Sequence, residues 1–114
     1  MITIWHNPRC SKSRQTLALI EQGGAEVTIR RYLEDAPTES EIDAARSALG
    51  LTSLRDMLRT GEKTYKELGL DKDTPEAELL TAMAQNPILI ERPIVFRGKR
   101  AVIGRPPEAV GELL

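Results

Sequence analysis

The 114-residue chain has one cysteine, Cys10, and one histidine, His6. A single cysteine closes no internal disulfide and cannot be half of a Cys-x-x-Cys pair. With only one histidine beside it, a zinc site built from Cys and His ligands is implausible. No apolar run approaches the roughly 20 residues that a membrane-spanning helix needs. The opening stretch Met1-Ile2-Thr3-Ile4-Trp5 is too short and too uncharged for a secretory signal. The net charge is -1, which gives no general case for binding nucleic acid or a membrane surface. A lone thiol without an export signal fits a reducing cytoplasm.

What is present describes an ordinary globular chain. Hydrophobic residues make up 40% and charged residues 29%, enough apolar material for one core without covalent staples. Residues 1–114 are therefore read as a single domain. The charges are unevenly placed. Residues 1–33 and 92–114 each hold five basic and two acidic side chains, whereas 34–91 hold six basic and thirteen acidic. If the two basic ends meet, they form a local positive site, suited to a small anion more than to a polymer.

The pattern along the chain predicts an α/β protein. Ile2 to Trp5 reads as a short strand, broken by Asn7-Pro8. A helix follows from about Ser11 to Gln22 and stops at Gly23-Gly24. Glu26 to Tyr32, with Val27 and Ile29 alternating with polar residues, reads as a second strand. The middle is helical. Thr38 and Glu41 form a capping-box pattern before Ile42, Ala45 and Leu49, with Gly50 as the stop. Ser53 to Arg59 is a short helical piece, and Thr74-Pro75-Glu76 opens a helix that Pro87 ends. Two strands around Pro93–Phe96 and Ala101–Ile103 flank a turn containing Gly98, a hairpin signature. Pro106 and Pro107 open a last helix with Val110, Leu113 and Leu114 facing inward. The order is that of a thioredoxin-like fold: a four-stranded mixed sheet, with a helical insertion at about 34–91 between the βαβ and ββα halves.

Chemistry concentrates in His6-Asn7-Pro8-Arg9-Cys10-Ser11-Lys12-Ser13-Arg14. Cys10 falls after the first strand and at the start of the first helix, where backbone N–H groups and the positive dipole end favour an anion. Arg9, Lys12 and Arg14 add cations, and no acid occurs before Glu21. Each feature favours thiolate over thiol. The competing reading is a buried structural cysteine, but such residues usually sit in apolar runs. Ser13 stands where a dithiol enzyme has its second cysteine. Thr16 stands where a phosphatase loop of the Cys-x5-Arg type needs arginine. What remains is one activated thiol that requires an external thiol to complete a cycle.

These residues resemble the glutaredoxin-dependent arsenate reductase family, the ArsC-like proteins. The active-site loop at 6–14 is similar. So are Leu58-Arg59 followed by Tyr65-Lys66-Glu67-Leu68, Asn86-Pro87-Ile88-Leu89-Ile90-Glu91-Arg92-Pro93-Ile94-Val95, and Gly104-Arg105-Pro106-Pro107-Glu108. The resemblance implies Cys10 as nucleophile and His6 as the loop histidine that helps keep the sulfur ionised. It implies Arg59, Arg92 and Arg105 as oxyanion ligands and Pro93 as the cis-proline facing the cysteine. It further implies a thiol–arsenate adduct, glutathione as co-substrate, glutaredoxin as partner and no bound cofactor. This chain departs from the family's well-studied members in having Ser11-Lys12-Ser13 after the cysteine, where they have small residues. Two rivals remain: a monothiol oxidoreductase acting on glutathione mixed disulfides, and a non-catalytic regulator of the same fold that binds RNA polymerase. The regulator reading is weakened by Ser13, which removes the Cys-x-x-Cys switch.

Overall fold

The computed structural model describes residues 1–114. They form two compact units. One joins Met1–Asp35 to Arg92–Leu114, and the other is Ala36–Glu91.

The first unit is built on four strands: β1 (Ile2–Trp5), β2 (Val27–Arg30), β3 (Ile94–Arg97) and β4 (Arg100–Ile103). Their order across the sheet is β2-β1-β3-β4. β1 runs parallel to β2 and antiparallel to β3, which runs antiparallel to β4. Helix α1 (Ser11–Gln22) makes the crossover between the two parallel strands, and a 3₁₀ helix over Pro107–Leu113 follows the hairpin. This is the four-stranded mixed sheet and thioredoxin-like order read from the sequence.

Period-two alternation in β1 sends Ile2 and Ile4 to one face, where they meet Ile20 of α1, Val95 of β3, and Val110 and Leu113 of the last helix. Burying such a side chain contributes roughly 1.5–3 kcal/mol, so this cluster is what holds helix α1 on the sheet. α1 ends as its glycines predict: Gly23 caps it and Gly24 takes a positive φ of 76°, which costs a glycine little.

The second unit holds α2 (Glu39–Ala48), α3 (Lys63–Glu67) and α4 (Glu76–Gln85), with 3₁₀ turns at Leu54–Met57 and Pro87–Leu89. The capping box is complete. Glu41 N–H donates to Thr38 Oγ1 at 3.1 Å, and Thr38 N–H donates to Glu41 Oε1 at 3.0 Å. Ile42, Met57, Leu79, Met83, Leu89 and Ile90 are fully buried. No helix is long and apolar enough to cross a membrane.

Four local expectations differ from the structure. β2 is shorter than Glu26–Tyr32, and Ile29 is 46% exposed, because an edge strand has a neighbour on one side only. Pro75 caps α4, while Thr74 Oγ1 turns back to accept from Asp71 N–H. The final segment winds as a 3₁₀ helix, and Leu114 at its end is 48% exposed. α3 arises where no helix was expected; at five residues it is too short to show a periodic pattern.

Candidate active site

Cys10 occupies the N-cap position of α1 and is 8% exposed. The chain reaches it from β1 through a tight loop, in which Cys10 N–H donates to Asn7 O at 3.0 Å and Arg9 N–H donates to Asn7 Oδ1 at 3.0 Å. Burial alone pushes the thiol pKa up. That effect is outweighed by the Ser13 N–H, the charge and hydrogen bond of Arg92, and the Lys12 N–H, so the thiol lies below its ordinary value. Arg105 Nη2 stands 3.8 Å from Sγ as a further cationic donor.

The cations that act are not those nearest in sequence. Arg14 turns away and donates to Pro8 O at 2.9 Å. Lys12 acts through its backbone N–H, not its ammonium. The charge on the sulfur side comes from Arg92, 82 positions further along the chain. Two guanidinium nitrogens of Arg92, Nε and Nη1, are shielded from solvent, where a charge is screened less than in water. Arg105 Nε donates to Arg92 O at 2.8 Å, so the two arginines are tied together. The Arg92–Pro93 and Arg105–Pro106 bonds are both cis.

His6 is buried at 6% exposure and its Nδ1 lies 2.7 Å from Ser13 Oγ. Ser13 Oγ also accepts from Asn7 N–H at 3.0 Å. Burial first, then the charges of Arg31 and Arg14, hold the imidazole below its usual pKa, against a smaller opposing effect of Glu21. His6 is therefore neutral at physiological pH. It brings no positive charge to the site, but it anchors Ser13, whose N–H serves the sulfur. Ser13, read in the sequence only as a missing cysteine, is a working part of the loop. The signal that could have found it is its place at the third position after the N-cap, whose N–H points back toward the cap.

The first unit thus brings together Cys10, Arg92 and Arg105, with His6 joined to them through Ser13 and the cis Pro93 directly after Arg92. Arg59 belongs to the second unit. A short antiparallel bridge pairs Leu58 with Ile90, Arg59 N–H donates to Leu89 O at 2.7 Å, and the guanidinium meets Glu91 Oε1 at 3.1 Å and Glu62 Oε1 at 3.8 Å. No group of three or more His, Cys, Asp or Glu side chains is placed to hold a metal ion.

A buried thiol whose pKa is lowered, flanked by two guanidinium groups, is suited to attack an electrophile that carries anionic oxygens. The family model described as ArsC family matches residues 5–113. An arsenate reductase of Haemophilus influenzae is 46% identical over 99% of this chain and 98% of its own length. An arsenate reductase of Escherichia coli is 44% identical over 99% of this chain and 80% of its own length. Among solved structures, an arsenate reductase from Vibrio cholerae superposes with a TM-score of 0.95 at 47% identity, over 99% of this chain and 97% of that one. With matches that run almost end to end and a site of this composition, the chain belongs to the ArsC family.

Proposed function

We propose that this protein reduces arsenate to arsenite through the Cys10 thiolate, with outside thiols closing the cycle. The observation that carries the reading is the Cys10 sulfur held beside Arg92 and Arg105 at the start of α1. Arsenate carries one to two negative charges near neutral pH, and guanidinium forks match its oxygens in shape and charge. The thiolate attacks arsenic, an S–As bond forms, and one arsenate oxygen leaves as water after protonation. Two electrons are still needed, and one cysteine cannot supply them in a closed cycle. Two further thiols provide them and end as a disulfide while arsenite is released. We assign those thiols to glutathione and glutaredoxin, on the family resemblance and on the absence of a second cysteine in the chain. A reducing cytoplasm is the setting in which such thiols persist.

In this mechanism Cys10 is the nucleophile, and Arg92 and Arg105 bind the oxyanion. Arg59 is assigned to the same task on the likeness of Leu58-Arg59 to the family's motif. His6 acts as a positioning residue through Ser13. The test is arsenite formation with arsenate, glutathione and glutaredoxin, comparing the native chain with Cys10→Ser. Turnover that vanishes in Cys10→Ser is expected. Arsenite production at background level by the native chain, with a folded protein and an active glutaredoxin, overturns the reading.

A further inference from the structure

Gly104 lies between β4 and Arg105 with no space for a side chain. A Cβ there would stand 2.5 Å from Thr16 Oγ1, 2.8 Å from Pro93 Cγ and 3.0 Å from Thr16 Cγ2. Neither neighbour yields easily. Thr16 is a β-branched residue of α1 with no exposed surface, and the Pro93 side chain is a closed ring. The contact is also bonded. Gly104 N–H donates to Pro93 O at 2.9 Å. Thr16 Oγ1 donates to Lys12 O at 2.8 Å, with Gly104 O at 3.4 Å as a second, weaker acceptor.

Three pieces of chain therefore meet at one point: the helix that starts beside Cys10, the Arg92-Pro93 entry to β3, and the exit from β4 that leads to Arg105. The bond from Arg105 Nε to Arg92 O at 2.8 Å closes the ring of contacts. Moving Gly104 away from Thr16 moves Arg105 with it, since they are chain neighbours. It also displaces Pro93 and the Arg92 joined to it.

We propose that Thr16 and Gly104 are positioning residues that set the distances of Arg92 and Arg105 from the Cys10 sulfur. Both act only through the groups they space. The inference rests on the oxyanion reading of the two arginines for its kinetic test, but not for its thiol test. The groups that act on the sulfur are Arg92, Arg105 and the N–H groups of Ser13 and Lys12, with His6 behind Ser13.

The variants are Gly104→Ala, Gly104→Ala with Thr16→Ala, and Thr16→Val. Each is measured for the pH midpoint of Cys10 alkylation by iodoacetamide, for arsenate kcat/KM with glutathione and glutaredoxin, and for thermal unfolding. Gly104→Ala is expected to raise the alkylation midpoint by about one pH unit, since a displaced cation no longer holds the thiol down. Arsenate kcat/KM should fall by about 10²-fold, the scale of a roughly 1 Å misplacement. The double variant should recover part of both losses, because two of the three obstructing atoms are gone. A folded Gly104→Ala with the native midpoint overturns the proposal, as does a double variant no better than the single one. Should Gly104→Ala not fold, Thr16→Val decides. It removes the hydroxyl at nearly constant shape and is expected to raise the midpoint and lower kcat/KM a few-fold, and native values overturn the proposal. If the native chain makes no arsenite, the functional reading fails while the alkylation midpoints still decide this one.

Discussion

Replacing Arg92 by methionine keeps an unbranched apolar stem in place while removing the charge and the donor. In the native site, burial raises the Cys10 pKa, and the Ser13 N–H, Arg92 and the Lys12 N–H together lower it below 9.0. Without Arg92 the burial effect is opposed only by the N–H groups and by Arg105 Nη2 at 3.8 Å, a long contact for a hydrogen bond. A nearby opposite charge is worth about 1–3 pKa units to such a group, so the thiol midpoint should rise by that amount. For a midpoint above neutrality, each unit lowers the thiolate fraction at neutral pH by about tenfold. The more basic thiolate is intrinsically more reactive, with a Brønsted slope of about 0.4–0.5, and this restores roughly threefold. The net slowing of alkylation is then about threefold per unit. The assay is the iodoacetamide rate against pH for the native chain, Arg92→Met and Arg92→Lys. Lysine should give an intermediate midpoint, because it keeps the charge and loses the fork. Arg9→Ala and Arg14→Ala should leave the midpoint near its native value, although both residues are far closer to Cys10 in sequence. A folded Arg92→Met with an unchanged midpoint would refute the reasoning.

Three further outcomes are expected. His6 is held below its ordinary pKa of 6.5, so the unfolded chain takes up a proton first as pH falls; stability is full above 6.5 and declines below it, and His6→Asn should remove that component of the pH dependence in urea titrations. A slope identical in both proteins would show that His6 is not the group responsible. Ser13→Ala leaves the buried Asn7 N–H without its acceptor and His6 Nδ1 without its partner, at about 1–3 kcal/mol, which should lower the thermal midpoint by several degrees. Arg105→Ala should cost about 10²–10³ in arsenate turnover, as for removal of one donor from a preorganised oxyanion site, while Arg105→Lys keeps part of it. Turnover within a few-fold of native in Arg105→Ala takes that residue out of the oxyanion site.

Local signals fixed much of this protein from the sequence alone. Strand β1 at Ile2–Trp5, helix α1 at Ser11–Gln22 and the Thr38–Glu41 capping box were legible, because each depends on residues within a turn or two of one another. The position of Cys10 at a helix start was legible for the same reason. The motif around it was distinctive enough to show the family. Patterns that depend on neighbours across space were not legible. Alternation in β2 placed Ile29 inward, but only the strand order makes β2 an edge and leaves that side chain half exposed. Charge near Cys10 in sequence pointed to Arg9, Lys12 and Arg14 as the cations acting on the sulfur, whereas the fold brings Arg92 and Arg105 beside it, two residues that the family resemblance implied only as oxyanion ligands. A string of residues records which side chains are neighbours along the backbone. Coulombic and hydrogen-bond effects fall off with distance in space, and β-sheet pairing of β1 with β3 is what brings residues 6–14 and 92–105 within reach of each other. The sequence thus determined that Cys10 sits at a helix start as a lone thiol, and only the tertiary structure decided which groups lower its pKa, because those groups reach the sulfur across space and not along the chain.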